Sequence, residues 1–202
     1  MGLFLDAASV WSNLYNVKYI LEIARKGRLH KLELLFLNED FPHLSGLQYA
    51  RDVDFGIRKS EYYGDRLVPA ILNRRMVDTK IEESRNWEKI SGRLKAIINL
   101  QSTLDNEFVI VDFNKSKVRT FCQIDAKFAI KSIVSDDIYF VFLDEKSGRY
   151  YCKSAFKKEF TDYVENQAVM TVLRKIKIVG TDANVLYVRE GYHPIDIPKT
   201  EY

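Results

Sequence analysis

The chain has 202 residues, of which 47% are hydrophobic, so it is long enough to bury a core without disulfides or a structural metal. A net charge of +3 permits nucleic-acid binding but is not sufficient to indicate it, because such binding depends on how the basic residues cluster. Cys122 and Cys152 lie too far apart for zinc-ligand spacing, which favours two buried free thiols. The sequence contains neither an apolar run of 18 residues nor a secretion signal, so we expect a cytoplasmic protein without a membrane span.

The first half of the chain predicts helices around one strand. Apolar residues at helical spacing predict a helix over 6–25, ended by Gly27. The apolar run at 31–37 predicts a strand, and Pro42 after it predicts a loop that carries His43. Further helices with an apolar stripe are expected at 65–76 and at about 84–97.

The second half predicts a run of strands. Short continuous apolar runs are typical of strands covered on both faces, and alternating residues are typical of half-buried strands. The predicted strands are 108–113, 127–133, 138–143, 149–153, 169–179 and 184–190, with one helix at 157–167.

This order of elements predicts an α+β fold, in which N-terminal helices pack on one face of a mostly antiparallel sheet of about four to six strands. Neither a repeat nor a linker divides the sequence. We therefore expect a single domain over 1–202, with a helical and loop elaboration at about 48–105 and an extended tail at about 191–202.

His43 is the best catalytic candidate among the three histidines. A general acid or base that works near neutral pH is most often histidine. His30 lies among cations at a strand start, which is typical of a surface residue, and His193 lies in the tail, where a preorganised site is not expected. His43 follows a proline and precedes Ser45 and Gly46, which let a ligand approach the backbone closely. The alternative is a structural histidine that hydrogen-bonds to loop carbonyls.

Lysines and aromatic residues on the predicted strands suggest a nucleic-acid surface. Lys127 and Lys131 share one strand face, where an ammonium group would stabilise charge on a phosphate. The alternative is a solvated sheet edge, which lysines commonly mark. Further cations expected on the same open face are Lys153, Lys175 and Lys177.

The segment 150–160 interleaves basic and aromatic residues, as sites for single-stranded RNA do. Its candidates are Tyr151, Lys153, Ser154 and Lys157. The alternative is an ordinary helix cap at Ser154 followed by a core Phe156.

Motifs for nucleotide, serine-hydrolase and zinc chemistry are absent from the sequence: it contains no GxxxxGK, GxGxxG, GxSxG, HExxH or CxxC. The acidic pairs at 82–83 and 136–137 are typical of helix surfaces and turns, which disfavours two-metal phosphodiester chemistry. We expect neither a metal nor another cofactor.

Several blocks together resemble the phage-associated Barnase–EndoU–colicin–RelE-like (BECR-fold) nucleases over about residues 8–180. The blocks are FPHLSGL, FVIVDF, AKFAIKS, IYFVFL, YYCKSAF and VMTVLRKIKIV, and the most specific part is HLSGL at 43–47. The resemblance implies N-terminal helices followed by a four-stranded sheet, with an RNA site on its open face. It also implies metal-independent RNA cleavage by attack of the 2′-hydroxyl on phosphorus, which leaves a cyclic phosphate and a 5′-hydroxyl.

By position, His43 matches the histidine motif of that family, and Lys127 and Ser154 match its polar strand positions. The implied protein is an endoribonuclease of phage or mobile-element origin and a candidate toxin. In this hypothesis His43 is the general base or acid, Lys127 stabilises the phosphorane, and Ser154 with Tyr151 positions the phosphate. Expected RNA contacts are Ser45, Lys131, Lys153 and Lys157. Expected partners are RNA and, for a toxin, an antitoxin or immunity protein.

Two other function classes remain open at the level of sequence. A non-catalytic RNA- or protein-binding module on the same fold would bind without cleaving, and one histidine leaves that option open. An ADP-ribosyltransferase-like enzyme is suggested by Arg58-Lys59-Ser60-Glu61, although that spacing is common by chance. RNA cleavage and NAD hydrolysis by the pure protein discriminate these classes.

Overall fold

The computed structural model describes residues 2–54, 65–73 and 78–194, and within them the chain forms eight strands and five α-helices. The strands are β1 (Val17–Arg25), β2 (Arg28–Leu35), β3 (Phe108–Asp112), β4 (Phe128–Val134), β5 (Asp137–Lys146), β6 (Arg149–Lys157), β7 (Ala168–Val179) and β8 (Asp182–Val188). The helices are α1 (Leu3–Leu14), α2 (Phe41–Leu44), α3 (Leu67–Leu72), α4 (Trp87–Ile98) and α5 (Leu100–Asp105).

The sheet closes into a barrel of seven strands. Its order is β1-β2-β6-β5-β4-β3-β7, and β1 pairs with β7 to complete the ring, while β8 adds to β7. All these pairings are antiparallel except β2 with β6, which is parallel and rests on the single pair Leu34 and Tyr150. The expectation of helices packed on an open sheet of four to six strands is therefore wrong. Closure depends on the pairing of β1 with β7, which are about 150 residues apart, and local periodicity carries no signal for it.

The predicted helix over 6–25 is wrong in its second half. Helix α1 ends at Leu14, and the residues from Val17 onward form β1, which is hydrogen-bonded to β2 on one side and to β7 on the other. Lys26 and Gly27 both have positive φ, 48° and 76°, and make the tight turn of the β1–β2 hairpin. Two strand partners override a spacing of apolar residues that also fits a helix.

The later strands are confirmed with small shifts in their ends, because short apolar runs bounded by turns are a local signal. The helix expected at 157–167 is wrong: β6 continues to Lys157, and residues 158–167 contain no helix. The helices expected at 65–76 and 84–97 are found as α3 and α4, with residues 74–77 outside the described part. His43 lies in α2 rather than in a loop, because Pro42 falls in the first turn, where its missing N–H costs nothing.

The candidate site lies along the part of β6 that has no described strand partner on its β2 side. Since β2 pairs with β6 at one residue only, most of the second edge of β6 lacks a strand partner within the described residues. Helices α2 and α4 lie against β6 there, and α4 also packs on α1. The helices therefore fill the place where β2 and β6 diverge, with Trp11, Leu94 and Ile97 fully buried in the main core.

A second, smaller core lies elsewhere on β3, β4 and β5. Its centre is formed by Val111, Phe113, Ala129, Phe140 and Phe142. Side chains packed against it include Phe156 and Tyr163, so residues 158–167 fold back over this part of the sheet.

Three further expectations concern the cysteines, the tail and the membrane. Both cysteines are free, but Cys152 alone is fully buried, and Cys122 is partly exposed. Residues 195–202 of the tail and the segment 58–61 lie outside the described residues. None of the helices in the described ranges combines the length and the apolar character needed to cross a membrane.

Candidate functional site

His43 lies on the short helix α2, which contacts β6. The helix ends in hydrogen bonds from Ser45 N to Phe41 O (2.8 Å) and from Gly46 N to His43 O (3.2 Å). Gly46 has a φ of 82°, a left-handed conformation that favours glycine. The side chain of His43 is exposed at the surface, so a ligand can reach it.

The surroundings of His43 favour its neutral form. Burial of part of the ring lowers the pKa of His43, and the positive charges of Arg93 and Lys153 lower the pKa further. An imidazole that is neutral at neutral pH can accept a proton from a substrate hydroxyl. His43 therefore has the charge state of a general base and lies among the cations that an anionic substrate would need.

Arg93 is the functional candidate that the sequence did not reveal. It lies on α4, is 9% exposed, and its Nη1 has no hydrogen-bond partner in the described part of the chain. Its guanidinium carbon is 5.4 Å from the ring centre of Tyr49 and 6.0 Å from that of Phe156. An unpaired buried donor is costly and uncommon, so it is a candidate for binding a ligand acceptor. The neighbouring Gly92 marks no close approach, because a Cβ atom there would meet nothing within 4 Å.

Gly46 lets the loop of His43 approach Arg93. A Cβ atom at Gly46 would lie 2.8 Å from Cδ of Arg93, which is closer than such atoms can come. The motif HLSGL and the arginine of α4 are therefore in close contact, although they are 47 residues apart in sequence.

Lys153 is fixed beside this pair by a bulge in β6. The β5–β6 register shifts so that Phe142 faces Ser154 and Leu143 faces Cys152, which leaves Lys153 as the extra residue. Its Nζ lies 2.6 Å from Oδ2 of Asp144. Burial lowers the pKa of Lys153, but the hydrogen bond and the negative charge of Asp144 raise it by more, so the pKa lies above its ordinary value. Lys153 is therefore protonated at neutral pH.

Ser154 and Tyr151 lie on the same strand. Ser154 is 5% exposed, and its Oγ is buried without a hydrogen-bond partner among the described residues. The alternative of a helix cap is wrong, because Ser154 lies within β6 opposite Phe142. Burial raises the pKa of Tyr151, whose ring centre is 5.7 Å from the guanidinium carbon of Arg149.

The other predicted lysines have carboxylate partners. Lys127 Nζ is 2.6 Å from Glu145 Oε2, and Lys157 Nζ is 2.7 Å from Asp137 Oδ1, while Lys131 pairs with Asp162. The charges that act on His43 are those of Arg93 and Lys153, and Lys127 is not among them.

Ser45 is turned inward. It is fully buried, and its Oγ donates to the carbonyl oxygen of Pro42 at 3.1 Å. Its hydroxyl therefore stabilises the turn after α2.

The imidazole of His43 and the cations Arg93 and Lys153 come together from α2, α4 and β6, and Ser154, with its unpaired hydroxyl, follows Lys153 in β6. An imidazole can move a proton, and fixed cations stabilise negative charge that develops in a transition state. Such a set of groups suits a reaction at an anionic centre such as a phosphate diester.

A family model described as phage-Barnase-EndoU-ColicinE5/D-RelE like nuclease4 (PBECR4) matches residues 4–187. The matched range contains His43, Arg93 and Lys153, and it confirms the resemblance found in the sequence. Searches of curated proteins and of solved structures gave no significant match.

Proposed function

The chain belongs to this family of phage-associated nucleases, and we propose that it is a metal-independent endoribonuclease of phage or mobile-element origin that acts in the cytoplasm. The observation that carries the proposal is the neutral imidazole of His43 beside two cations, one of which has an unpaired buried N–H. These groups supply a base and charge stabilisation, which RNA cleavage by its own 2′-hydroxyl requires.

The proposed reaction is an internal transfer at phosphorus. His43 accepts the proton of the 2′-hydroxyl as its oxygen bonds to the adjacent phosphorus. The bond from phosphorus to the 5′-oxygen then breaks, and Lys153 donates the proton that the leaving oxygen takes up. The products are a 2′,3′-cyclic phosphate and a 5′-hydroxyl, and exchange with solvent then removes the proton from His43 and returns one to Lys153.

Arg93 and Ser154 face the charge that develops in this step. The free N–H of Arg93 and the unpaired hydroxyl of Ser154 are donors for the non-bridging oxygens of the phosphorane. Tyr151 is assigned a contact with the phosphate or base next to the reacting group. Contacts with more distant phosphates are assigned to Lys127, Lys131 and Lys157. Each of these lysines would leave its carboxylate partner to bind a phosphate.

RNA cleavage in the presence of a chelator tests the chemistry. Purified protein is incubated with total RNA and EDTA, and the new ends are mapped. We expect cleavage that survives EDTA and leaves cyclic phosphate and 5′-hydroxyl ends. Cleavage that stops in EDTA and returns with Mg²⁺ would contradict metal independence. Binding of RNA with no cleavage under any condition would instead favour the non-catalytic module.

Replacement of His43 tests the site. We expect His43→Ala to lower the rate of RNA cleavage by about 10²–10⁴-fold, because it removes the general base. The matched control is His30→Ala, which removes a histidine that packs on Phe128 at the opposite end of β2 from the β2–β6 pair. A His43→Ala protein that cleaves RNA at the wild-type rate would overturn the assignment.

We also propose that the nuclease is a toxin held by an antitoxin or immunity protein. The cationic site favours an acidic inhibitor, because complementary charge speeds and orients association. Expression of the wild-type chain alone should be toxic to bacteria and that of His43→Ala should not. Equal growth of the two strains would contradict the toxin role.

A further inference from the structure

Two phenylalanines beside the candidate site are almost fully exposed. Phe121 is 89% exposed and Phe160 is 94% exposed, and both line one pocket with Arg93. A single exposed apolar residue needs no explanation, but two from separate segments at one pocket indicate a binding surface. We propose that this pocket holds an unstacked base of single-stranded RNA between Phe121 and Phe160, with the neighbouring phosphate at Arg93. The inference rests on the proposed function and assigns the substrate class of its site.

The two segments that carry these rings are tied together directly beside them. Thr120 Oγ1 and Thr161 Oγ1 are 3.1 Å apart and share a hydrogen bond. Arg119, one residue further from the pocket, forms an ion pair with Glu165. These contacts join the segment before β4 to the segment after β6, so the rings are held at a limited distance from each other.

The pocket between the segments is large enough to hold a nucleobase and is lined by aromatic rings. Its volume is about 430 Å³, within the range of roughly 300–1,000 Å³ that is typical of small-ligand sites. Phe156 and Tyr163 form its aromatic floor, with ring centres 5.3 Å apart at an angle of 71°. Aromatic faces bind bases by stacking, whichever base is present.

The charge at the pocket favours a nucleic acid over an apolar peptide. Lys89 Nζ lies 3.7 Å from the ring centre of Tyr49, and Arg93 lies near the same ring. Four charged residues line the pocket, the cations Lys89, Arg93 and Lys157 and the carboxylate Glu159, so positive charge is in excess. The unpaired Nη1 of Arg93, on a side chain that is nine-tenths buried, is a donor for a phosphate oxygen.

Arg93 also connects the pocket to the reacting groups. It lowers the pKa of His43 through its charge, while its guanidinium carbon is 6.0 Å from the ring centre of Phe156 in the pocket floor. A phosphate at Arg93 is therefore next to His43, and the base attached to it reaches the pocket. Stacked duplex bases cannot enter such a site, so the substrate is single-stranded.

The test measures binding of a fluorescent 2′-O-methyl RNA octamer, which cannot be cleaved by 2′-hydroxyl attack, and of the same backbone without bases. We expect Phe121→Ala and Phe160→Ala each to weaken binding of the intact octamer by about 5- to 150-fold. Binding of the base-free backbone should not change. Phe160→Trp should retain affinity, and the tryptophan fluorescence should be quenched by the intact octamer. The control is Tyr15→Ala, which removes an exposed aromatic residue at the end of α1 and should leave binding unchanged.

Equal affinity of wild type and both alanine variants for the intact octamer would overturn the inference and assign the patch to another partner. An equal loss for both oligomers would also overturn it, because stacking requires a base. These results are independent of cleavage. A wild-type protein whose octamer binding depends on Phe121 and Phe160 but that cleaves no RNA would keep the inference and reject the proposed nuclease activity.

Discussion

The two sides of the barrel use cations in different ways. On β7, Arg174 makes two bonds to the carboxylate of Glu22, of 2.8 and 2.5 Å. The neighbouring Lys175 donates to the three carbonyl oxygens of Leu104, Asp105 and Asn106 at 2.6–2.8 Å, which completes the end of α5. Both side chains are buried, and their main donors are used within the protein.

On the side of β6, the buried cation Arg93 is incompletely paired. Arg93 is 9% exposed and Lys175 is 4% exposed, so both are buried. Nη1 of Arg93 nevertheless has no partner among the described residues. Charge and burial therefore do not distinguish a structural cation from one that binds substrate. The number of donors left without a partner does distinguish them.

Loss of the structural pair on β7 should have the largest effect on stability. Arg174→Met leaves the buried carboxylate of Glu22 without its cation and with the hydroxyl of Tyr192 still bonded to it. We expect the free energy of unfolding to fall by about 3–5 kcal/mol, measured by urea denaturation. The double variant Glu22→Leu with Arg174→Met should lose much less, because no buried charge remains. A free energy of unfolding for Arg174→Met within about 1 kcal/mol of wild type would contradict a structural role for the pair.

Gly46→Ala tests the contact between the two parts of the site. The new Cβ meets Cδ of Arg93 at 2.8 Å, and the alanine must also adopt the positive φ of position 46, which is unfavourable for it. The matched control is Gly27→Ala, which has a similar φ of 76° but open space around the Cβ. Both should lose about 1–2 kcal/mol from the left-handed backbone. Gly46→Ala should lose a further 1–3 kcal/mol, roughly, from overpacking and should also cleave RNA more slowly. Equal stability and equal cleavage for the two variants would contradict the close contact.

The smallest expected effect is a shift in the pH dependence. Burial, Arg93 and Lys153 keep the pKa of His43 below its ordinary value of 6.5. Lys153→Met removes one of these causes, so the pKa of His43 should rise toward 6.5. An NMR titration of the His43 ring measures the shift, with Lys146→Met as the control at an exposed lysine of the β5–β6 turn.

The sign of the accompanying stability change follows from the direction of this pKa. The unfolded chain binds a proton at about pH 6.5, whereas folded His43 resists it until lower pH. His43 therefore contributes stability above about pH 6.5 that is lost as the pH falls through its folded pKa. The loss on acidification should be smaller in Lys153→Met. A titration in which His43 has the same pKa in both proteins would show that Lys153 does not act on it.

Local patterns in the sequence predicted most strands but not their closure. The runs at 108–113 and 138–143 are short and apolar, and each became a strand in place. Residues 17–25 fit helical and strand spacing equally, and only the pairing with β2 and β7 decides between them. The barrel therefore could not be derived from periodicity, because its closing contacts join distant parts of the chain.

The candidate site was likewise predictable only where its residues form a local pattern in the sequence. His43 was identified because histidine, proline and glycine occur together in one short segment, and Lys153 and Ser154 because basic and aromatic residues alternate there. Arg93 was missed because it lies in an amphipathic helix, where an arginine is typical of the solvent-facing side. Its role depends on the contact with Gly46 and on a missing hydrogen-bond partner, which are properties of packing.

The most direct test compares two buried arginines in one assay: the rate of RNA cleavage per folded molecule for Arg93→Met and Arg174→Met. We expect Arg93→Met to lose about 10²–10³-fold in rate, as removal of one donor to a developing negative charge does, while its unfolding free energy stays close to that of wild type. Arg174→Met should cleave at the wild-type rate in conditions where it is folded. A wild-type rate for Arg93→Met, or an equal loss in both variants, would contradict the assignment of the β6 side as the active site.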